Sequence, residues 1–183
     1  MKMKIIFLDI DGVITSARTG WMNLDIYATS FLKWVCEQTD TKIVISSTWR
    51  CNRDRKFFAD IFGEELIHKD WKTPWDLGDF NVDCRGDEIQ LWLNEHSEIT
   101  DYLIIDDDSD MLDYQISNLI KIESYNGLMF DEMMEICDRL AFPDKIVPNM
   151  NLIELIQHPN MFAKSNTMSA TDQIKTALGI KFT

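Results

Sequence analysis

The stretch from Ile5 to Gly12 constrains the fold more than any other part of the chain. Four apolar residues, Ile5-Ile6-Phe7-Leu8, run directly into Asp9-Ile10-Asp11-Gly12. An unbroken apolar run of this length suits a strand of a parallel sheet, where both faces are covered. It stops at a carboxylate, and a second carboxylate follows two residues later. Alternation along a strand brings residues i and i+2 to one face, so Asp9 and Asp11 can share one small space. In an open α/β sheet, ligands bind in the space beyond the carboxyl ends of the strands. Two carboxylates there repel one another unless a cation offsets them, and a hard divalent ion with oxygen ligands does so. The alternative is a strand followed by an ordinary acidic turn, since Asp and Gly are common turn residues.

Two further strand ends carry groups capable of chemistry. Ile43-Val44-Ile45 leads into Ser46-Ser47-Thr48-Trp49-Arg50, and Tyr102-Leu103-Ile104-Ile105 leads into Asp106-Asp107-Asp108-Ser109-Asp110. Between them, apolar spacing predicts helices over 25–38 (Ile26, Phe31, Trp34 and Val35 inward), 56–62, 87–95 and 131–140. Short strands are predicted at Leu66-Ile67 and over 119–122. Residues 13–24 read as a loop or short flap, and residues 68–84 as irregular. Strands alternating with helices predict an α/β fold, a doubly wound parallel sheet in three layers with helices on both faces. Residues 1–140 are expected to form this domain. Residues 141–183, with short helices over 151–158 and 170–178, are expected to form a helical extension packed on it.

Composition narrows the function. The 183 residues carry 31 acidic against 18 basic side chains, a net charge of −13. Most of the excess falls in residues 61–140, where 21 acidic groups face five basic ones. Such a chain is a poor binder of duplex nucleic acid, whose affinity comes largely from neutralising phosphates. The densest basic group is Arg50, Arg53, Arg55 and Lys56, immediately after the second strand end. No apolar run approaches the ~20 residues of a membrane span, and the chain enters its first strand too early for a signal peptide. Cys36, Cys51, Cys84 and Cys137 form no C-x-x-C pair, and His68, His96 and His158 are equally scattered, so neither a disulfide framework nor a zinc site is expected. A cytoplasmic protein with reduced thiols fits these features. Oligomeric state is left open.

Taken together, these strand ends resemble the haloacid dehalogenase-like (HAD) superfamily of phosphohydrolases. Its first motif, a hydrophobic strand followed by Asp-x-Asp-Gly, is matched by Phe7-Leu8-Asp9-Ile10-Asp11-Gly12-Val13. Its second, a strand ending in Ser or Thr, is matched by Ile43-Val44-Ile45-Ser46-Ser47. Arg85, ahead of the helix at Asp87, stands where the third has a Lys or Arg, and Ile104-Ile105-Asp106-Asp107 matches the fourth. The resemblance covers residues 3–140. The combination of Ser46-Ser47-Thr48-Trp49-Arg50, Arg85-Gly86-Asp87-Glu88-Ile89 and Asp106-Asp107-Asp108 also looks like a subgroup associated with RNA-repair proteins.

The resemblance implies a division of labour. Asp9 is the nucleophile, forming an aspartyl-phosphate, and Asp11 is general acid and then base. Mg²⁺ is held by Asp9, the main-chain carbonyl of Asp11 and the Asp106/Asp107 pair, with Asp107 the direct ligand and Asp110 an outside candidate. Ser47, or alternatively Ser46, holds a phosphoryl oxygen, and Arg85 neutralises charge on the phosphoryl group. The plain alternative for Arg85 is a surface salt bridge to Asp87 or Glu88, and for Asp108 and Asp110 it is helix or turn capping.

The intervals from Gly12 to Lys42 and from Arg50 to Cys84 are short, which resembles the minimally capped members of the superfamily, open to large substrates. The second interval still has room to fold into a small lid. Ser46, Thr48, Trp49, Arg50 and Arg53 are expected to contact substrate, with Trp21, Trp49, Trp71 and Trp75 available to stack on a base; packing is the alternative for each tryptophan. The expected substrate is a phosphomonoester, a nucleotide or a single-stranded nucleic-acid end. A small metabolite or phosphoprotein is the second reading, and a non-catalytic HAD-like binding module the third.

Overall fold

A computed structural model describes residues 3–75 and 84–141. Five parallel strands form one sheet: β1 (Lys4–Leu8), β2 (Thr41–Ile45), β3 (Ile67–Lys72), β4 (Tyr102–Asp106) and β5 (Leu119–Lys121). Their spatial order is β3-β2-β1-β4-β5. The connections therefore run outward in one direction from β1 to β3 and in the other from β4 to β5. The reversal lies between β1 and β4, and such a reversal opens a crevice at the carboxyl edge.

Alternation along β1 divides the core into two layers. Ile6 and Leu8 face one cluster, packed by the helices α1 (Ile26–Thr39), α2 (Arg55–Phe62) and α4 (Phe130–Arg139) through Leu32, Phe58 and Ile136. Ile5 and Phe7 face the other, with Val44, Ile104 and, from α3 (Arg85–Glu95), Ile89 and Trp92. Phe7 meets Trp92 edge to face, with ring centres 5.3 Å apart. Both faces of β1 are thus dry, which explains why its sequence is uniformly apolar rather than alternating.

The register places the strand ends level. Leu8 is paired with Ile45 on one side and Ile105 on the other. The residues that follow, Asp9, Ser46 and Asp106, consequently emerge side by side. Two main-chain bonds extend the pairing past the strand ends, Asp9 N to Ile105 O at 3.0 Å and Ser46 N to Leu8 O at 3.1 Å.

Helix starts follow local capping. Asp25 accepts from the N–H groups of Tyr27 and Ala28, and Asp54 from that of Phe57, satisfying donors that have no partner within their helices. Each predicted helix within the described residues begins a residue or two away from its expected start: Asp25 caps α1 instead of joining it, and α3 opens at Arg85 instead of Asp87. Ile26, expected inward, is exposed, and the buried stripe of α1 runs through Ala28, Phe31, Leu32, Val35 and Cys36.

The larger correction concerns residues 67–72, expected to be mostly irregular. They form β3, an edge strand joined to β2 through a bulge, with Ile43 opposite Ile67 and Ile45 opposite Lys72. Its charged side chains hid it, since an edge strand exposes one flank to water. The proposed extension at 141–183, apart from its first residue, and the middle of the possible lid, 76–83, lie outside the described residues. Among the described residues no helix is long and apolar enough to cross a membrane.

Gly86, in the first turn of α3, lies against the chain leading from β4. A Cβ there would lie 2.4 Å from Leu112 N and 2.9 Å from Met111 Cα. Gly86→Ala is expected to lower stability by roughly 1–3 kcal/mol, the cost of overpacking a tight contact, measured as a shift of the urea midpoint at unchanged slope.

Candidate active site

Asp9 and Asp106 end adjacent strands and are 4% and 1% exposed. Continued alternation puts both on the face of Phe7 and Ile104, the face covered by α3. The first residue of that helix, Arg85, reaches between them. Its Nη1 donates to Asp9 Oδ1 at 2.7 Å and to Ser46 O at 2.8 Å, while Nε lies 3.4 Å from Asp106 Oδ2. This overturns the surface alternative for Arg85, whose side chain turns inward to Asp9 and Asp106.

One guanidinium does not balance the carboxylates around it. Carboxylate oxygens of Asp9, Asp106 and Asp107 all lie within 4.8 Å of one another. Burial pushes Asp9 up from its ordinary value, against the opposing pull of Arg85 and the nearby Ser47 hydroxyl. Burial, then the charge of Asp9, pushes Asp106 up to about 7 and raises Asp107 as well. Arg85 is itself raised: burial lowers it, but the charges of Asp9 and Asp106 outweigh that.

The donor set fits a divalent cation. All the charged donors are oxygens, as hard ions require, and buried Asp106 Oδ2 has no hydrogen-bond partner. Gly12, at φ +74°, leaves the room that Asp107 occupies, since a Cβ there would lie 2.2 Å from Asp107 Oδ2.

Asp11 projects beyond the strand and is exposed. Two donors fix its carboxylate: Thr15 Oγ1 at 3.1 Å from Oδ1, and Trp49 Nε1 at 2.9 Å from Oδ2. Neither contact was read from the sequence. Thr15 lies four residues on from Asp11, and Trp49 reaches it only because β1 and β2 are neighbours.

Ser46 and Ser47 are both buried, but they sit differently. Ser47 accepts from Trp49 N at the start of a short helical turn, Thr48–Cys51, and its hydroxyl lies against Asp9. Ser46 offers its carbonyl to both Arg85 and Arg50, and its hydroxyl has no hydrogen-bond partner.

Arg50 is corrected outright. Expected to contact substrate, it is 2% exposed and spends its donors within the chain. They go to Ser46 O, to Thr73 O (3.0 Å), to Pro74 O (3.2 Å) and to Glu88 Oε2 (2.6 Å). The rest of the basic cluster also disperses, as Arg55 pairs with Glu64 and Lys56 with Asp60. Arg53 remains at the surface, stacked over Trp49 and Phe57 at 5.7 and 5.3 Å from their ring centres. It borders an open cleft of about 620 Å³, also lined by Phe57, Trp71 and Lys72. A smaller cleft of about 220 Å³ lies between Thr48, Trp75, Arg85 and Glu88.

The tryptophans divide likewise. Trp49 gives its N–H to Asp11, and Trp71 packs on Phe58 at 5.4 Å, whereas Trp21 and Trp75 are about half exposed. Asp110 caps α3, accepting Arg85 N at 3.0 Å, and Asp108 accepts Ser109 N. Those two acids follow the capping alternative.

An open parallel sheet whose central strand ends in a buried aspartate, beside an acidic neighbour and a helix-borne arginine, defines a domain of the HAD class, generally hydrolases and phosphatases. Residues 5–133 match the model of the HAD domain in Swiss Army Knife RNA repair proteins, and the chain belongs to that family. No curated protein and no solved structure matches it.

Arg50→Met is expected to destabilise the fold by about 3–5 kcal/mol, because Glu88 and three carbonyls would lose a buried partner. Adding Glu88→Gln should recover part of that loss in urea unfolding. Equal stability of the single variant and the wild type would show that the buried pair carries no weight.

Proposed function

We propose that this domain is a Mg²⁺-dependent phosphomonoesterase acting through an aspartyl-phosphate on nucleotide or nucleic-acid-end phosphates. The observation that carries the reading is the placement of Asp9, with Arg85 bonded to one carboxylate oxygen, Asp106 and Asp107 beside it, and Asp11 held nearby by Trp49 and Thr15.

Asp9 attacks the phosphorus, forming the acyl-phosphate bond as the bond to the leaving oxygen breaks. Asp11 gives that oxygen its proton, so the product leaves as an alcohol. Water then attacks the phosphorus of the acyl-phosphate, Asp11 takes the water's proton, and inorganic phosphate leaves with Asp9 restored. Trp49 and Thr15 hold Asp11 in place through both steps. Arg85 neutralises charge on the phosphoryl oxygens, with the hydroxyl of Ser47, and of Ser46 as the alternative, donating to them. Asp9, the Asp11 carbonyl and Asp107, with Asp106 in support, would hold Mg²⁺, which would supply the positive charge that lets a carboxylate approach a phosphate dianion.

Three features support a nucleotide-type substrate. The family description names RNA repair proteins. Exposed Arg53 lies over the half-buried rings of Trp49 and Phe57, the first of which bonds Asp11, and Thr48 lines the small cleft that Arg85 also borders. The excess acidic charge disfavours duplexes and is compatible with a single end held locally.

The test is phosphate release, with and without Mg²⁺, from an aryl phosphate and from 5′- and 3′-phosphorylated nucleotides and oligonucleotides. Release should require Mg²⁺ and fall by at least roughly 10⁴-fold in Asp9→Asn, as expected when a nucleophile is removed. Asp11→Asn should cost about 10²–10⁴-fold. No Mg²⁺-dependent release from any substrate would refute the enzyme reading, and turnover of sugar phosphates alone would move the substrate to small metabolites. Gly12→Ala should weaken Mg²⁺ binding by roughly ten- to a hundredfold in calorimetry, by displacing Asp107.

A further inference from the structure

A second cluster of metal-ligating side chains lies at the opposite end of α3 from Arg85. His68 and Asp70 occupy alternate positions on β3, and His96 follows the last residue of α3. A ring nitrogen of each histidine and a carboxylate oxygen of Asp70 all lie within 4.8 Å of one another. Arg85 and His96 are separated by the length of the helix, roughly 16 Å for 11 residues, so this group is separate from the Asp9 centre.

The ring of His96 is fixed in the way that a ligating imidazole is fixed. His96 stacks on Trp92 with ring centres 3.7 Å apart and planes 10° apart, and its Nδ1 lies 2.7 Å from Trp92 O. Nδ1 therefore carries the hydrogen and donates it, which leaves the Nε2 lone pair of the neutral ring directed at Asp70 Oδ2, 3.0 Å away. A lone pair facing a carboxylate requires a proton or a cation between them. The Asp70 backbone is fixed as well, Trp92 Nε1 donating to Asp70 O at 2.9 Å. His68 Nδ1 lies 3.1 Å from Asp70 N and 3.3 Å from Asp70 O; with its hydrogen on Nδ1 the ring donates to that carbonyl, and Nε2 is left free to ligate. A main-chain carbonyl orienting the non-ligating nitrogen of a histidine is the usual outer support of a metal site.

We propose that His68, Asp70 and His96 bind a late first-row divalent cation, of which Zn²⁺ is the representative. Two imidazoles and one carboxylate select such an ion over Mg²⁺, which prefers oxygen donors. Ligands about 2.0–2.1 Å from a tetrahedral ion stand roughly 3.3 Å apart, close to the observed nitrogen–oxygen separation. Both histidines are buried and Asp70 is exposed, so the ion has a route in from solvent. Bound there, it clips the edge strand β3 to the end of α3. The sequence concealed the group because 27 residues separate His68 from His96 in the chain.

The experiment uses the full chain, stripped with a chelator and held in millimolar Mg²⁺ so that the acidic centre is occupied. Zn²⁺ titration by calorimetry should show one equivalent bound, with a rise in melting temperature, and Co²⁺ should give tetrahedral d–d absorption without a thiolate band. Asp70→Asn and His96→Gln, each checked for native circular dichroism, should weaken Zn²⁺ binding at least tenfold and abolish the thermal shift. Asp70→Asn alters an exposed side chain and keeps the test valid if His96→Gln fails to fold. Asp107→Asn should leave both readouts unchanged. The proposal is overturned by no Zn²⁺ binding, by binding that survives Asp70→Asn, by binding lost in Asp107→Asn, or by a thiolate band; in those cases His96 and Asp70 form an ion pair and nothing more.

Discussion

The contact on which the active centre depends is the guanidinium of Arg85, set between Asp9 and Asp106 where β1 and β4 end. Burying two carboxylates side by side is costly, and a single buried cation offsets only part of the cost. The fold meets this demand from three directions at once. The sheet register makes the two strand ends level, alternation turns both side chains toward α3, and Asp110 caps that helix so that its first residue points into the gap. The remaining imbalance is what suits the centre to a divalent ion.

Much of this was legible in the sequence, and for a clear reason. β1, β2 and β4 are central strands covered on both faces, so each reads as an apolar run, and each stops at a polar residue of the candidate site. What the sequence hid is equally physical. β3 lies at the edge, and its Lys69, Asp70 and Lys72 imitate a loop. Arg50 carries the same letter as Arg53, but one is enclosed by Ser46, Thr73, Pro74 and Glu88 while the other lies on the surface. Trp49 gives its N–H to Asp11, a partner 38 residues away. Such pairings arise when β1 and β2 align, and no local pattern announces them.

Arg50 also shows how the loop after β2 is held. By bonding Ser46 O, Thr73 O and Pro74 O together with Glu88 of α3, it ties the end of β2, the residues after β3 and the start of α3 into one unit. Arg85 shares the Ser46 carbonyl with it. The cation in the centre and the cation beneath it therefore meet on a single main-chain oxygen, so a disturbance in the support is felt at Asp9.

The bond from Trp92 to Asp70 O has a consequence of another kind. A parallel sheet ends in a strand whose unpaired main-chain groups invite a second chain to dock and extend it. On β3 one of those acceptors is already taken by an indole from the helix alongside, and the bulge opposite β2 breaks the even spacing that a newcomer would need. With Lys69, Asp70 and Lys72 projecting around it, the edge offers a poor template. Among the described residues, side chains of β3 and of the helix beside it thus guard this edge against aggregation.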